Sequence, residues 1–273
     1  MTCASTPRRH RFVTDEPDIP FAMPVIYEDA AIIVVDKPHF LATMPRGMWY
    51  RQTALMRLRE RYGEPQITPA HRLDRATAGV LVFVRDSALR GAYQTLFQDR
   101  RAVKTYECAA PLKPVRHPST GVVRALEPPR PFPLERRSRI VKTRGVLQAR
   151  EVRGEPNAHT VIDRAQLLGY AHGAHGVGDG CGVRDVHRVH DARAVPIARY
   201  VLTPHTGKTH QLRVHMHALG LPIVGDDLYP TIEERAYDDF SRPLELVARR
   251  LAFDDPITGA HRVFVSSVPL LQR

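Results

Sequence analysis

Two short stretches of this chain gather residue types that packing alone does not call for. The first is His71-Arg72-Leu73-Asp74-Arg75-Ala76-Thr77-Ala78-Gly79, which runs directly into the apolar residues 80–84. A carboxylate set just before a buried strand, with an arginine on either side, suits work as a nucleophile or base, because nearby cations keep it ionised. Without a function, the same residues read as a capped turn with a surface Asp. The second stretch is Thr203-Pro204-His205-Thr206-Gly207-Lys208-Thr209-His210-Gln211-Leu212-Arg213-Val214-His215. On a helix, His210, Arg213, Val214 and His217 share one face, apart from the stripe formed by Leu212, Met216 and Leu219. Without a function, that is a helix with a basic solvated face.

The elements that must position these residues follow from apolar periodicity. Residues 31–35 read as a buried strand closed by Lys37-Pro38. Thr53 caps a helix that carries Leu55, Leu58 and Tyr62 on one face and stops at Gly63. Residues 79–85 read as a β-branched strand, and Ser87 caps a second helix with Leu89, Tyr93, Leu96 and Phe97 inward. Strands are expected at 104–109, 140–152, 159–168, 199–203 and 262–266, with 140–152 and 159–168 forming a hairpin. The helix over 209–219 closes at Gly220 and leads into a turn and a short strand at 223–224. A last helix starts at Pro243, with Leu244, Val247, Ala248 and Leu251 on one face. Residues 1–20 read as a basic flexible arm and 21–273 as one α+β domain with a largely antiparallel or mixed sheet flanked by helices and loops. The six glycines and four histidines of 169–193 predict a long loop.

Composition narrows the partners. The 273 residues carry 40 Lys and Arg against 29 Asp and Glu, a net charge of +11, which fits a polyanionic partner. The charge is segregated. Residues 134–153 hold seven basic residues, among them Arg136, Arg137 and Arg139, against two acids, whereas 226–240 holds six acids and one Arg. The basic run is expected to track a nucleic-acid backbone and the acidic run to face away. No apolar run reaches the ~18–20 residues of a membrane helix. Three scattered cysteines suit a reducing, cytoplasmic compartment.

Together the two stretches resemble the RluA-type pseudouridine synthases, which convert uridines in structured ribosomal and transfer RNA. That family carries H-R-L-D-x-x-T-S-G, a K-x-Y strand, and T-G-R-T-H-Q-[LI]-R-x-H before G-x-P-[IL]-x-G-D-x-x-Y. Here these appear as residues 71–79, Lys104-Thr105-Tyr106, 206–215 and 220–229, and Tyr27-Glu28-Asp29 with Val35-Asp36-Lys37-Pro38 resembles the family's first strand. The resemblance spans about residues 25–268. Ala78 stands where the family has Ser, a change expected to affect packing only. From the short stretch before the first matched strand, the small N-terminal RNA-binding domain that many relatives carry is not expected.

The resemblance implies the pseudouridine synthase fold and an isomerisation without a cofactor or metal. Asp74 is implied as the catalytic carboxylate, Arg213 as its paired cation, and Tyr106 as the ring that holds the detached uracil and helps remove its C5 proton. His71, Arg72, Arg75, Lys104, Lys208 and His210, with Arg136, Arg137 and Arg139, are expected to bind the RNA. Arg72 is placed to fill the gap left by a flipped base. The expected partner is rRNA or tRNA, with no membrane and a monomeric protein. Two other readings compete. One is a non-catalytic RNA-binding protein on the same fold. The other is a zinc protein using His172, His175, His187 and His190 with Cys181.

Overall fold

The computed structural model describes residues 16–47, 49–172, 183–184 and 194–271. Among them are thirteen strands in one sheet: β1 (Val25–Glu28), β2 (Ile32–Lys37), β3 (Thr68–Pro69), β4 (Ala78–Val84), β5 (Val103–Pro111), β6 (Val122–Ala125), β7 (Leu134–Val141), β8 (Arg150–Val152), β9 (Ala158–His172), β10 (Val183–Arg184), β11 (Ala194–Pro204), β12 (Leu246–Asp254) and β13 (His261–Val265). The helices are α1 (Ala54–Tyr62), α2 (Arg90–Gln98) and α3 (Gln211–Ala218). The sheet runs β1-β2-β4-β12-β5-β11-β9-β7-β6. The β12–β4 pair is parallel and the other described pairs are antiparallel. This is the mixed α+β sheet the sequence predicts.

The apolar runs of β2 and β4 are continuous because both faces of these strands are covered. Ile33, Val35, Leu81 and Phe83 pack on one side against Ala54, Leu55 and Leu58 of α1. Ile32, Val34, Val80, Val82 and Val84 pack on the other against Tyr93 and Leu96 of α2. Leu212 and Met216 of α3 join Cys108, Tyr200 and Leu202 in a third cluster. Thr53 caps α1 by accepting from the Met56 amide at 3.3 Å, and Gly63 ends it in the left-handed region. Gly79 permits the parallel junction: its φ is +112°, and a Cβ there would sit 2.3 Å from the Ala248 carbonyl oxygen.

Several expectations fail for physical reasons. Residues 244–251 form no helix. Most of the stretch belongs to β12, whose central position buries Leu246, Val247 and Ala248 in succession, so its apolar spacing imitates a helical period. Asp86, not Ser87, caps the turn before α2, its carboxylate accepting from the Ala88 amide at 2.8 Å. Residues 140–152 divide between β7 and β8, and Ile223-Val224 is not a strand. The arm stops short of residue 20. Glu16 accepts from the Tyr50, Arg51 and Gln52 amides at 2.8–2.9 Å, and Ile19 is buried. Within the expected loop 169–193, β9 continues to His172 and β10 pairs with it. His175, Cys181, His187 and His190 lie outside the described residues.

Candidate active site

The turn carrying Asp74 is held from behind by the segment that follows β2. Thr43 Oγ1 donates to the Leu73 carbonyl at 2.8 Å and accepts from the Leu73 amide at 3.1 Å. His39 Nδ1 donates to the Ala76 carbonyl at 2.9 Å, and the Thr77 amide closes the turn on the Asp74 carbonyl at 3.1 Å. Lys37 is fully buried, and its Nζ donates to the Pro38, Leu41 and Arg75 carbonyls at 2.9, 2.7 and 3.3 Å. Burial lowers the pKa of Lys37 to about 7, with the Asp74 charge opposing that fall and Arg75 adding to it. The Asp74 carboxylate itself accepts no hydrogen bond from any described residue, which leaves both oxygens for a substrate.

A cleft of about 930 Å³ opens in front of Asp74. Its walls are the Asp74 turn, one side of α2 and the 204–210 loop into α3, with Tyr106 of β5 between them. Burial and the charge of Asp74 push the Tyr106 phenol up, so it stays protonated at neutral pH. Lys104 lies over the Phe97 ring at 4.9 Å, and burial lowers its pKa to about 8. The His71 ring lies tilted against the same Phe97, with centroids 4.3 Å apart, and burial keeps it neutral. Arg72 and Lys208 are exposed at the rim.

Helix α3 brings Arg213 to the same cleft but pairs it elsewhere. Arg213 Nε donates to Asp226 Oδ2 at 2.8 Å, Nη2 reaches Asp226 Oδ1, and Nη2 also donates to Asp227 Oδ1 at 2.8 Å. The expected Arg213–Asp74 pair is therefore not formed among the described residues, because the turn after α3 supplies a closer carboxylate. Asp226, the first residue of the acidic run, is buried on Arg213, whereas Glu233, Glu234 and Asp238 further along it are exposed. Asp226 Oδ1 accepts the Leu228 and Tyr229 amides at 2.9 and 3.0 Å, and this fixes Tyr229. His210 precedes the helix in the left-handed conformation, φ 55°, with Nδ1 3.2 Å from the Tyr229 hydroxyl.

Two expected RNA contacts are internal. Arg136 is 0 % exposed, with its guanidinium on Glu151 and on the Thr120 carbonyl at 2.8 Å. Arg75 lies over the Trp49 and Phe40 rings at 5.2 and 5.9 Å, away from the cleft lining. Arg137 and Arg139 are exposed, although Arg137 also reaches back to Glu135 at 2.7 Å. Of the site's groups, Lys37, Asp226 and Tyr229 carried no assigned role in the sequence, although Asp226 and Tyr229 are the D and Y of the motif at 220–229. The signal for Lys37 was a lysine closing a strand whose first four residues are apolar.

A free carboxylate, a protonated tyrosine and a basic rim around one large cleft define an acid–base or nucleophilic site open to a polyanion. The family model described as RNA pseudouridylate synthase matches residues 31–218, and the chain belongs to that family. It is 30% identical to the dual-specificity RNA pseudouridine synthase RluA of Haemophilus influenzae, over 88% of this chain and 90% of that one. The RluA of Vibrio vulnificus is 32% identical over 85% of this chain and 78% of its own length. Human RNA Pseudouridylate Synthase Domain Containing 1 shares the fold, with a TM-score of 0.57 and 23% identity over 93% of this chain and 87% of that one. The protein is an RNA pseudouridine synthase, an isomerase acting on RNA. No described helix is long and apolar enough to cross a membrane, and no group of three or more metal-ligating side chains is present among the described residues.

Proposed function

We propose that this protein isomerises particular uridines in structured rRNA or tRNA, with Asp74 as the catalytic carboxylate. The observation that carries the reading is an Asp with no hydrogen-bond donor from a described residue, held on a braced turn inside the cleft. The N1–C1′ bond breaks, the uracil turns, and C5 bonds to C1′. A carboxylate serves this sequence as nucleophile at C1′ or as base on the sugar, and both roles need unoccupied oxygens. The C5 proton must then leave and N1 must gain one, so the atoms balance without redox chemistry. Tyr106, a neutral phenol at the cleft, relays that proton, its oxygen receiving one as its own passes on.

The target base is stacked in RNA before reaction and has to be flipped out. Arg72, exposed at the rim, fills the space it leaves, and Lys208 holds a phosphate there, with Lys104 further inside the cleft. Pseudouridine mapping of total RNA from cells with and without the gene tests the reading. Specific sites should vanish in the deletion and return with the wild-type gene. An unchanged map would reject it.

A further inference from the structure

His210 has a fixed tautomer. The Tyr229 hydroxyl has one proton and donates it to the Ala149 carbonyl at 2.9 Å, while its oxygen accepts from the Ala149 amide at 2.8 Å. A carbonyl only accepts, so the Tyr229 oxygen must be the acceptor in its 3.2 Å contact with His210 Nδ1. Nδ1 therefore carries the proton, and Nε2 of the neutral ring carries a lone pair. Burial, helped by Arg213 and Lys142, holds the pKa of the ring below the ordinary histidine value, against the pull of Asp74 and Asp226. The ring lines the cleft beside Asp74 and Tyr106. Its backbone sits at φ 55°, a conformation that costs a residue with a Cβ about 1–2 kcal/mol and that recurs where geometry serves a site.

The reaction puts an unusual demand on whatever grips the base. Turning uracil so that C5 replaces N1 is a half-rotation about the line through N3 and C6. That rotation exchanges O2 with O4 and N1 with C5, but N3–H lies on the axis and does not move. A single acceptor on that axis keeps its hydrogen bond from the start of the turn to the end. Resting on the functional reading above, we propose that His210 Nε2 accepts the N3–H of the target uracil and acts as the pivot of its rotation. The same contact selects the base. Cytosine presents a lone pair at N3, which an acceptor-only nitrogen repels.

The test uses RNAs identical except at the target, which carries uridine, 3-methyluridine or cytidine. With wild-type protein, kcat/KM on the 3-methyluridine RNA should fall by roughly tenfold or more relative to uridine. His210→Ala should be slow on uridine and should lose most of this discrimination, while His210→Gln, whose amide oxygen accepts, should recover part of both. Affinities measured on an Asp74→Asn background report the contact without turnover, and uridine RNA should there bind more tightly than the 3-methyluridine and cytidine RNAs only when His210 is present. Equal discrimination by wild type and His210→Ala would overturn the pivot, as would full-rate turnover of 3-methyluridine. Should wild type fail to convert the uridine RNA, the functional reading fails, and the affinities still decide the contact: equal binding of the three RNAs overturns it.

Discussion

Arg213 and Asp226 form a buried two-point ion pair thirteen residues apart in the chain, with Arg213 Nε 2.8 Å from Oδ2. The pair welds α3 to the turn that follows it, and through Tyr229 it braces His210. Arg213 thus acts on the cleft through Asp226, which takes the fork that the resemblance implies for Asp74.

Substituting Arg213 should therefore cost stability as well as activity. Arg213→Ala leaves Asp226 buried without its cation, a loss of roughly 3–5 kcal/mol in urea unfolding. Arg213→Lys keeps a charge but loses the fork, and should fall between wild type and Ala. A double-mutant cycle with Asp226→Asn should give a coupling of about 1–3 kcal/mol. Additive effects would mean that the pair contributes nothing and that Arg213 serves the cleft directly.

Asp74→Asn should behave in the opposite way. Its carboxylate accepts no hydrogen bond from a described residue, so unfolding free energy should change by about 1 kcal/mol or less, while pseudouridine formation is abolished. A catalytically competent Asn variant would remove Asp74 from the mechanism and favour the reading of a binding protein on the same fold.

How far the site was legible in sequence depends on which residues touch. The motif turn at 71–79 and the loop into α3 could be read because their residue types make poor packing material, and both line one cleft. The partner of Arg213 could not be read, since Asp74 and Asp226 are both plausible carboxylates and only the turn geometry after α3 decides. Arg136 misled for a related reason: a basic run looks solvated, but β7 turns Leu134, Arg136 and Ser138 inward, where Glu151 meets the guanidinium. For β12 the signal was false, because a strand buried on both faces has no period of two to display.

Lys37 gives a pH-dependent stability term whose sign can be worked out. Its pKa is about 7 in the folded protein and near 10.4 in an unfolded chain. Between those values the unfolded state binds more protons, so Lys37 makes stability rise with pH, by up to about 1.4 kcal/mol per unit. Below pH 7 both states are protonated and the term is flat. Lys37→Met removes the term, so the stability of wild type relative to the variant should climb from pH 7 to 10. A difference independent of pH, measured by denaturant unfolding at each pH, would mean that the buried amine keeps its proton throughout.

The basic run separates into a structural part and a part available to RNA, and salt dependence tells them apart. Arg136 is closed in with Glu151, so Arg136→Ser should destabilise the fold by roughly 3–5 kcal/mol, through an uncompensated carboxylate. Once the remaining folded protein is counted, its RNA affinity should depend on salt as in wild type. Arg139, Lys142 and Arg144 are exposed on and just after β7. Each phosphate they neutralise on single-stranded RNA adds about −0.7 to the slope of log affinity against log salt, so changing all three to Ser should flatten that slope by up to about two units. The triple variant should unfold like wild type and raise KM more than it lowers kcat, because phosphate contacts hold ground state and transition state alike. An unchanged slope in the triple variant would put the RNA on another face, with the cleft rim at Arg72 and Lys208 as its remaining electrostatic anchor.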